Sequence, residues 1–127
     1  MPVSKSIELH GALKVNAGDC VCATFPSAQT VMKLEEAYTS GAEVSRSFTI
    51  ADAVTWQDLL AGTNITQVAF LVLKVRGGSV ELRRTVGTNV DQIIPVSDTE
   101  IWVSRTQRAT ALSIRGNADI ELFIGGV

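Results

Sequence analysis

The stretch Ile65-Thr66-Gln67-Val68-Ala69-Phe70-Leu71-Val72-Leu73-Lys74-Val75 decides the fold class. In an extended chain Ile65, Ala69, Leu71, Leu73 and Val75 take one face and Val68, Phe70 and Val72 the other, so both faces are apolar. A strand covered on two sides reads this way. Arg76-Gly77-Gly78-Ser79 follows as a glycine-rich turn signal and predicts a tight hairpin into a strand over residues 80–86.

Working outward, the same alphabet recurs. The 127 residues include 15 Val, 9 Ile and 12 Thr, against 10 Leu and 4 Lys, a bias toward pleated sheets rather than helices. Ile7, Leu9, Leu13 and Val15 alternate with Glu8, His10, Ala12 and Lys14, which predicts a strand with Gly11 as a bulge. Asn16-Ala17-Gly18-Asp19 then turns the chain into a second strand over residues 20–25 that stops at Pro26. Residues 28–38 fit two patterns. Val31, Leu34 and Tyr38 share a helical face with Ser27 as cap, while Met32, Leu34 and Tyr38 share one face of a strand. The β-rich pattern that continues over residues 43–51 favours the strand.

Thr55-Trp56-Gln57-Asp58-Leu59-Leu60-Ala61-Gly62 predicts one short helix near residues 56–61, with Thr55 as N-cap, an acid three residues on and glycine past the last turn. Residues 92–96 read as a short strand interrupted by Pro95, hence an edge or a bulge. Strands are expected over 99–104, 109–115 and 120–124, the last two separated by a turn at Gly116-Asn117-Ala118-Asp119. Eight to ten short strands with regular turn signals define an all-β chain. The expected architecture is a single domain, residues 1–127, folded as an antiparallel, jelly-roll-like β-sandwich.

Composition limits the chemistry. Eleven basic and 13 acidic residues give a net charge of −2, spread over both halves, which argues against binding nucleic acid or an anionic membrane. The first residues lack an apolar signal segment, and no apolar run is long enough to span a bilayer, so a soluble chain made in the cytoplasm is expected. The single histidine, His10, lies on the polar side of its strand. Cys20 and Cys22 share a strand face, a poor geometry for a disulfide, and with His10 they leave a zinc site one ligand short. Glu35 with Glu36 faces opposite sides of a strand, and Asp98 with Glu100 reads as solvated surface. Arg76-Gly77-Gly78-Ser79 does not open a helix, and no nucleophile or phosphate-loop motif is present. No catalytic, cofactor or metal residues are expected, and no enzymatic activity.

Trp56 and Trp102 sit among apolar neighbours, where indoles pack in cores more often than they display a flat ring to a sugar. Arg83, Arg84, Arg105, Arg108 and Arg115 read as a solvated face or as charges that pair at an interface. The sequon Asn64-Ile65-Thr66 has meaning only in a secretory pathway. The double-faced apolar stretches at residues 65–75 and 120–127 suit subunit contact.

The layout Phe48-Thr49-Ile50, Thr55-Trp56-Gln57-Asp58-Leu59, Asn64-Ile65, Ala69-Phe70-Leu71-Val72-Leu73-Lys74, Gly77-Gly78-Ser79-Val80-Glu81-Leu82-Arg83 and Ile94-Pro95-Val96-Ser97, with the ending Ala118-Asp119-Ile120-Glu121-Leu122-Phe123-Ile124-Gly125-Gly126-Val127, resembles small virion structural proteins of tailed bacteriophages. The resemblance covers about the last two-thirds of the chain. It implies a capsid decoration or cement protein: a jelly-roll-like domain located in the virion, forming homo-oligomers, often trimers, and clamping neighbouring capsid subunits. Many such proteins carry an extended arm, which the sequence does not show beyond residues 1–5. That departure leaves a tail, fibre or connector component as one alternative, with a carbohydrate-binding β-sandwich as the other.

Overall fold

The fold is that of a computed structural model, which describes residues 5–18, 20–25, 32–38, 43–87, 90–104 and 106–127. The chain divides into two compact units, Met1–Thr39 and Ser40–Val127. All described regular structure is β-strand.

The first unit contains β1 (Lys5–Gly11), β2 (Leu13–Ala17), β3 (Cys20–Phe25) and β4 (Met32–Tyr38). β2 and β3 form the expected hairpin, Ala17 opposite Cys20, with Gly18 at φ 61° in its turn. β1 pairs antiparallel with β4, from Lys5 opposite Tyr38 to Gly11 opposite Met32. Residues 32–38 are therefore strand, while residues 28–31 of the ambiguous stretch lie outside the described residues. Ile7 and Leu9 are half-buried and Ser6, Glu8 and His10 exposed, the alternation that their spacing predicts. Together the two pairings make a two-stranded ribbon.

The second unit is one five-stranded sheet of β5 (Glu43–Asp58), β6 (Val68–Val86), β7 (Val90–Val96), β8 (Thr99–Val103) and β9 (Ala109–Gly126). The strand order is β5-β9-β6-β7, and β8 also pairs with β6. β7 carries Pro95 and pairs with β6 alone, as an edge strand must.

Two expected turns are absent. Arg76-Gly77-Gly78-Ser79 lies inside the continuous 19-residue β6, and Gly116-Asn117-Ala118-Asp119 inside the continuous 18-residue β9. The two strands run antiparallel, with Leu71 opposite Ile124 and Leu82 opposite Ile114. The glycines act as a bulge instead. Arg76 faces Asp119 and Ser79 faces Asn117, so three steps on β6 oppose two on β9. The extra residue reverses which side chains point inward. Ala69, Leu71, Leu73 and Val75 are buried before the bulge and Val80 and Leu82 after it, odd positions giving way to even ones.

Gly77 takes φ 71°, where a Cβ is disfavoured. Gly78 is required for a different reason, since a Cβ there would stand 1.9 Å from the Asn117 carbonyl oxygen. This close crossing is a corner. A straight 19-residue strand would span about 60 Å, yet Val68 and Val86, the two ends of β6, both pair with Ala109. The sheet is therefore folded over on itself, β8 and the first half of β6 on one side of the corner, β7 and the second half on the other. Between them lies a core in which Leu71, Leu73, Leu82, Leu112, Ile114 and Ile124 have no accessible surface.

The short helix expected near residues 56–61 is also absent. Trp56, Gln57 and Asp58 end β5, where Gln57 faces Ile114 and Asp58 faces Ser113. The Leu59 amide donates to the Leu112 carbonyl at 2.8 Å, and only then does the chain turn, Thr63 N–H bonding to the Leu60 carbonyl at 3.0 Å. A helix of two turns fixes its dihedrals for few internal bonds. The edge of β9 away from β6 offers partners for the same amides, and Leu59 is buried there.

Candidate functional site

Beyond the core, the second half of the sheet presents an outer face built from side chains of opposite parity to the core. On β6 these are Glu81, Arg83 and Thr85, on β9 Ser113 and Arg115, and on β7 Ile93 and Pro95, directly opposite Arg83 and Glu81. Trp56, at the end of β5, closes the row. Its ring has the Arg115 guanidinium carbon 4.2 Å and the Arg83 guanidinium carbon 4.5 Å from its centroid. Cations at such distances are attracted by the ring quadrupole. Arg115 is also held by Glu81, whose Oε1 accepts from Nε at 3.2 Å and lies 3.2 Å from Nη2.

The turn before Trp56 is fixed by Asp52. Its Oδ1 accepts from the Val54 and Thr55 amides, both at 2.9 Å, and these backbone bonds hold the exposed carboxyl below its ordinary pKa. The Asp52 bonds bend β5 where its register with β9 breaks between Asp52 and Gln57. Val54 is displayed at the bend, 80% exposed, with its carbonyl within 3.5 Å of Arg115 Nη1. Ile93, at the far end of the row, is 53% exposed. The face therefore runs continuously from Val54 through Arg115, Trp56 and Arg83 to Ile93, with two cations set among apolar groups.

A second tryptophan cluster lies at the open edge of the core. Trp102 on β8 faces Leu71, and Glu100 faces Leu73, so both share the core side of the sheet. Across the fold, the Arg84 guanidinium carbon lies 4.8 Å from the Trp102 ring centroid. Arg84 Nε donates to Gln92 Oε1 at 2.6 Å, while its Nη1 is buried without a hydrogen-bond partner. Burial lowers the Arg84 pKa, and the nearby Glu100 carboxylate opposes that shift. Arg84 thereby links Gln92 on β7 to Trp102 on β8. Trp102 is only half-buried, and so is Trp56.

The other sequence candidates stand apart from these clusters. His10 Nε2 lies 2.9 Å from Glu8 Oε2, both exposed. Cys20 and Cys22 alternate with Val21 on β3, and Glu35 stands opposite Glu8 while Glu36 stands opposite Ile7. The Asp98 carbonyl accepts from the Val75 amide at 2.7 Å. Arg108 donates to Gln67 Oε1 at 3.2 Å, and Arg105 lies outside the described residues. Among the described residues no three His, Cys, Asp or Glu side chains gather to hold a metal ion.

Two concavities among the described residues are open grooves. One of about 650 Å³ runs along the corner past Gly78, Ser79, Glu81, Pro95 and Arg115. Another of about 320 Å³ passes Thr49, Lys74, Arg76 and Glu121, where the acids already pair: Thr49 donates to Asp119 at 2.7 Å and Arg76 lies 3.6 Å from Glu121. Sequence reading placed Trp56 in a helix and so missed its association with Arg83 and Arg115. Extended as a strand, residues 52–58 would have shown Val54, Trp56 and Asp58 on one side. Compared with protein-family models, with curated proteins and with solved structures, the chain finds no match.

Proposed function

We propose that this chain is a non-enzymatic structural protein of a tailed-bacteriophage virion, of the capsid decoration or cement type. It would work by binding major capsid subunits as a homo-oligomer. The observation that carries this reading is the outer face from Val54 to Ile93. Tryptophan and arginine dominate the binding energy of protein interfaces, and here they lie together on an open sheet surface rather than in an enclosed pocket. The folded sheet supports a jelly-roll-like sandwich as the finer description, since the Arg84–Trp102 contact joins the inward sides of its two halves.

The test is co-sedimentation with particles of the virus that encodes the chain. Binding in fixed stoichiometry to shells, with a raised shell melting temperature, is the expected result. Recovery with tails or fibres instead moves the protein to that part of the virion, and no association with any particle overturns the reading. A carbohydrate-binding module is the second reading, favoured by the half-buried state of both tryptophans. In each, however, a guanidinium lies over the ring where a sugar would stack. A glycan array without hits removes it.

A further inference from the structure

Among the described residues β8 pairs with β6 alone, which leaves its other edge without a strand. The Ser104 amide donates to the Ala69 carbonyl at 2.9 Å, and the Val75 amide to the Asp98 carbonyl at 2.7 Å. Bonded positions alternate in an antiparallel ladder, so residues 98, 100, 102 and 104 turn their backbone groups toward β6, and Thr99, Ile101 and Val103 turn theirs away. Free edges are commonly blunted by proline or lysine. β7 carries Pro95, whereas Thr99-Glu100-Ile101-Trp102-Val103 carries neither. On the outer side of the sheet Phe123, Val72 and Ile101 stand opposite one another across β9, β6 and β8, and this apolar row ends at the edge with Ile101 61% exposed. On the core side Arg84 lies over Trp102, keeps Nη1 buried without a partner and forms no ion pair within the chain. A guanidinium partly withdrawn from water in this way lacks a carboxylate.

We propose that β8 of one copy of this chain pairs antiparallel with β8 of a second copy, about a two-fold axis at Ile101. The inference rests on the homo-oligomer part of the functional reading above and names its contact. In this register Thr99 stands opposite the partner's Val103, and Ile101 opposite the partner's Ile101, so all three outward positions exchange both backbone bonds. An axis one residue to either side leaves one of the three unpaired. The row of Phe123, Val72 and Ile101 then continues through the axis into the second copy. The same register favours a second copy over a foreign strand. It places the partner's Glu100 directly opposite Trp102 on the core side, Cβ atoms about 5 Å apart, against about 7 Å along the strand to the chain's own Glu100. The carboxylate that Arg84 lacks thus arrives beside the ring that Arg84 covers, and by symmetry each chain gives one and receives one. A strand of unrelated sequence would satisfy the backbone of the edge but not the arginine.

The test is sedimentation equilibrium of the full chain, with backbone hydrogen exchange on the same samples. Pairing of two short edges is weak, so a passage from 13.6 kDa to twice that mass is expected between about 1 and 300 µM. Across that range the amides of Thr99, Ile101 and Val103 should gain protection, while those of Glu100 and Trp102, which face β6, are protected throughout. Ile101→Lys sets two like charges opposite each other at the axis, and Glu100→Gln removes the charge offered to Arg84. Each should weaken association at least tenfold. Unchanged protection at Leu71 and Leu122 shows that the body is folded in both variants. An unaltered chain that stays monomeric overturns the proposal. So does a dimer in which the three edge amides gain no protection, or one that either variant leaves at full strength. Protection of those amides that appears only on adding virion shells gives the edge to a capsid strand and overturns the second copy. A dimer of the expected kind that binds no virion leaves the inference standing and removes the functional reading.

Discussion

The ribbon and the folded sheet use the same residues to different ends. Both are antiparallel strands rich in Val, Ile and Leu with alternating faces, yet Leu13 on the ribbon is 69% exposed while Leu122 in the sheet is 1% exposed. The difference lies in layering rather than in propensity. A sheet gains its stability when a second apolar face lies against it. In the second unit β6 and β9 turn through one corner, and the inward side chains on either side of it are buried.

That corner is the most direct place to break the comparison. Gly78→Ala puts a Cβ against the Asn117 carbonyl, which neither strand can yield without losing its register, and should cost roughly 4 kcal/mol or more. Gly77→Ala, one residue away, meets nothing within 4 Å and should cost only about 1–2 kcal/mol for its positive φ. Denaturant unfolding followed by tryptophan emission compares the two. Equal costs would mean that the crossing of β6 over β9 is not where the fold is held.

Next in size is the contrast of the two leucines. Leu122→Ala empties a fully packed site and should lower stability by about 2–5 kcal/mol. Leu13→Ala should leave body unfolding within about 0.5 kcal/mol, as for surface substitutions generally. A large effect of Leu13→Ala on the tryptophan-reported transition would show that the ribbon is part of the body's cooperative unit.

The outer face gives a smaller and more local effect. Arg115 is partly exposed and is held by Glu81 and Trp56, so Arg115→Ala should cost about 1 kcal/mol after solvent screening, and should shift Trp56 emission to the red. A double-mutant cycle with Trp56→Leu separates the ring contact from the ion pair. A coupling energy of zero would mean that the ring does not hold the guanidinium.

What could be read from the sequence divides along the same line. Local signals placed most of the strands and the hairpin turn at residues 16–19, and narrowed Pro95 to an edge or a bulge, of which the structure shows the edge. They failed at Gly77-Gly78 because a glycine pair serves a turn and a bulge equally well, and the residue that decides, Asn117, is about 40 positions away. They failed at residues 55–62 for a related reason: a capping pattern promises a helix, but the amides after Trp56 find carbonyls on β9. Because both faces of residues 65–75 are apolar, the parity change from Val75 to Val80 shows only in which side chains are buried. Of the outer face, the arginines and Trp56 could each be singled out, while their meeting depends on β5, β6 and β9 lying side by side.

The smallest predicted effect concerns Asp52, which shapes the bend displaying Val54. Its folded pKa lies below the ordinary carboxylate value because the ionised form accepts two backbone N–H bonds. A depressed pKa stabilises the folded bend wherever the group is ionised in both states, that is, above about pH 3.9, and the contribution fades as the pH falls through the lower folded value. Between those two values the bend should loosen while the buried leucines, which carry no titratable group, stay closed. Amide exchange should therefore rise at Val54 and Thr55 on acidification through this window without a matching rise at Leu71 or Leu122. Asp52→Asn should weaken these bonds at neutral pH and flatten that dependence, and an unchanged acid response in the variant would mean that another group sets the bend.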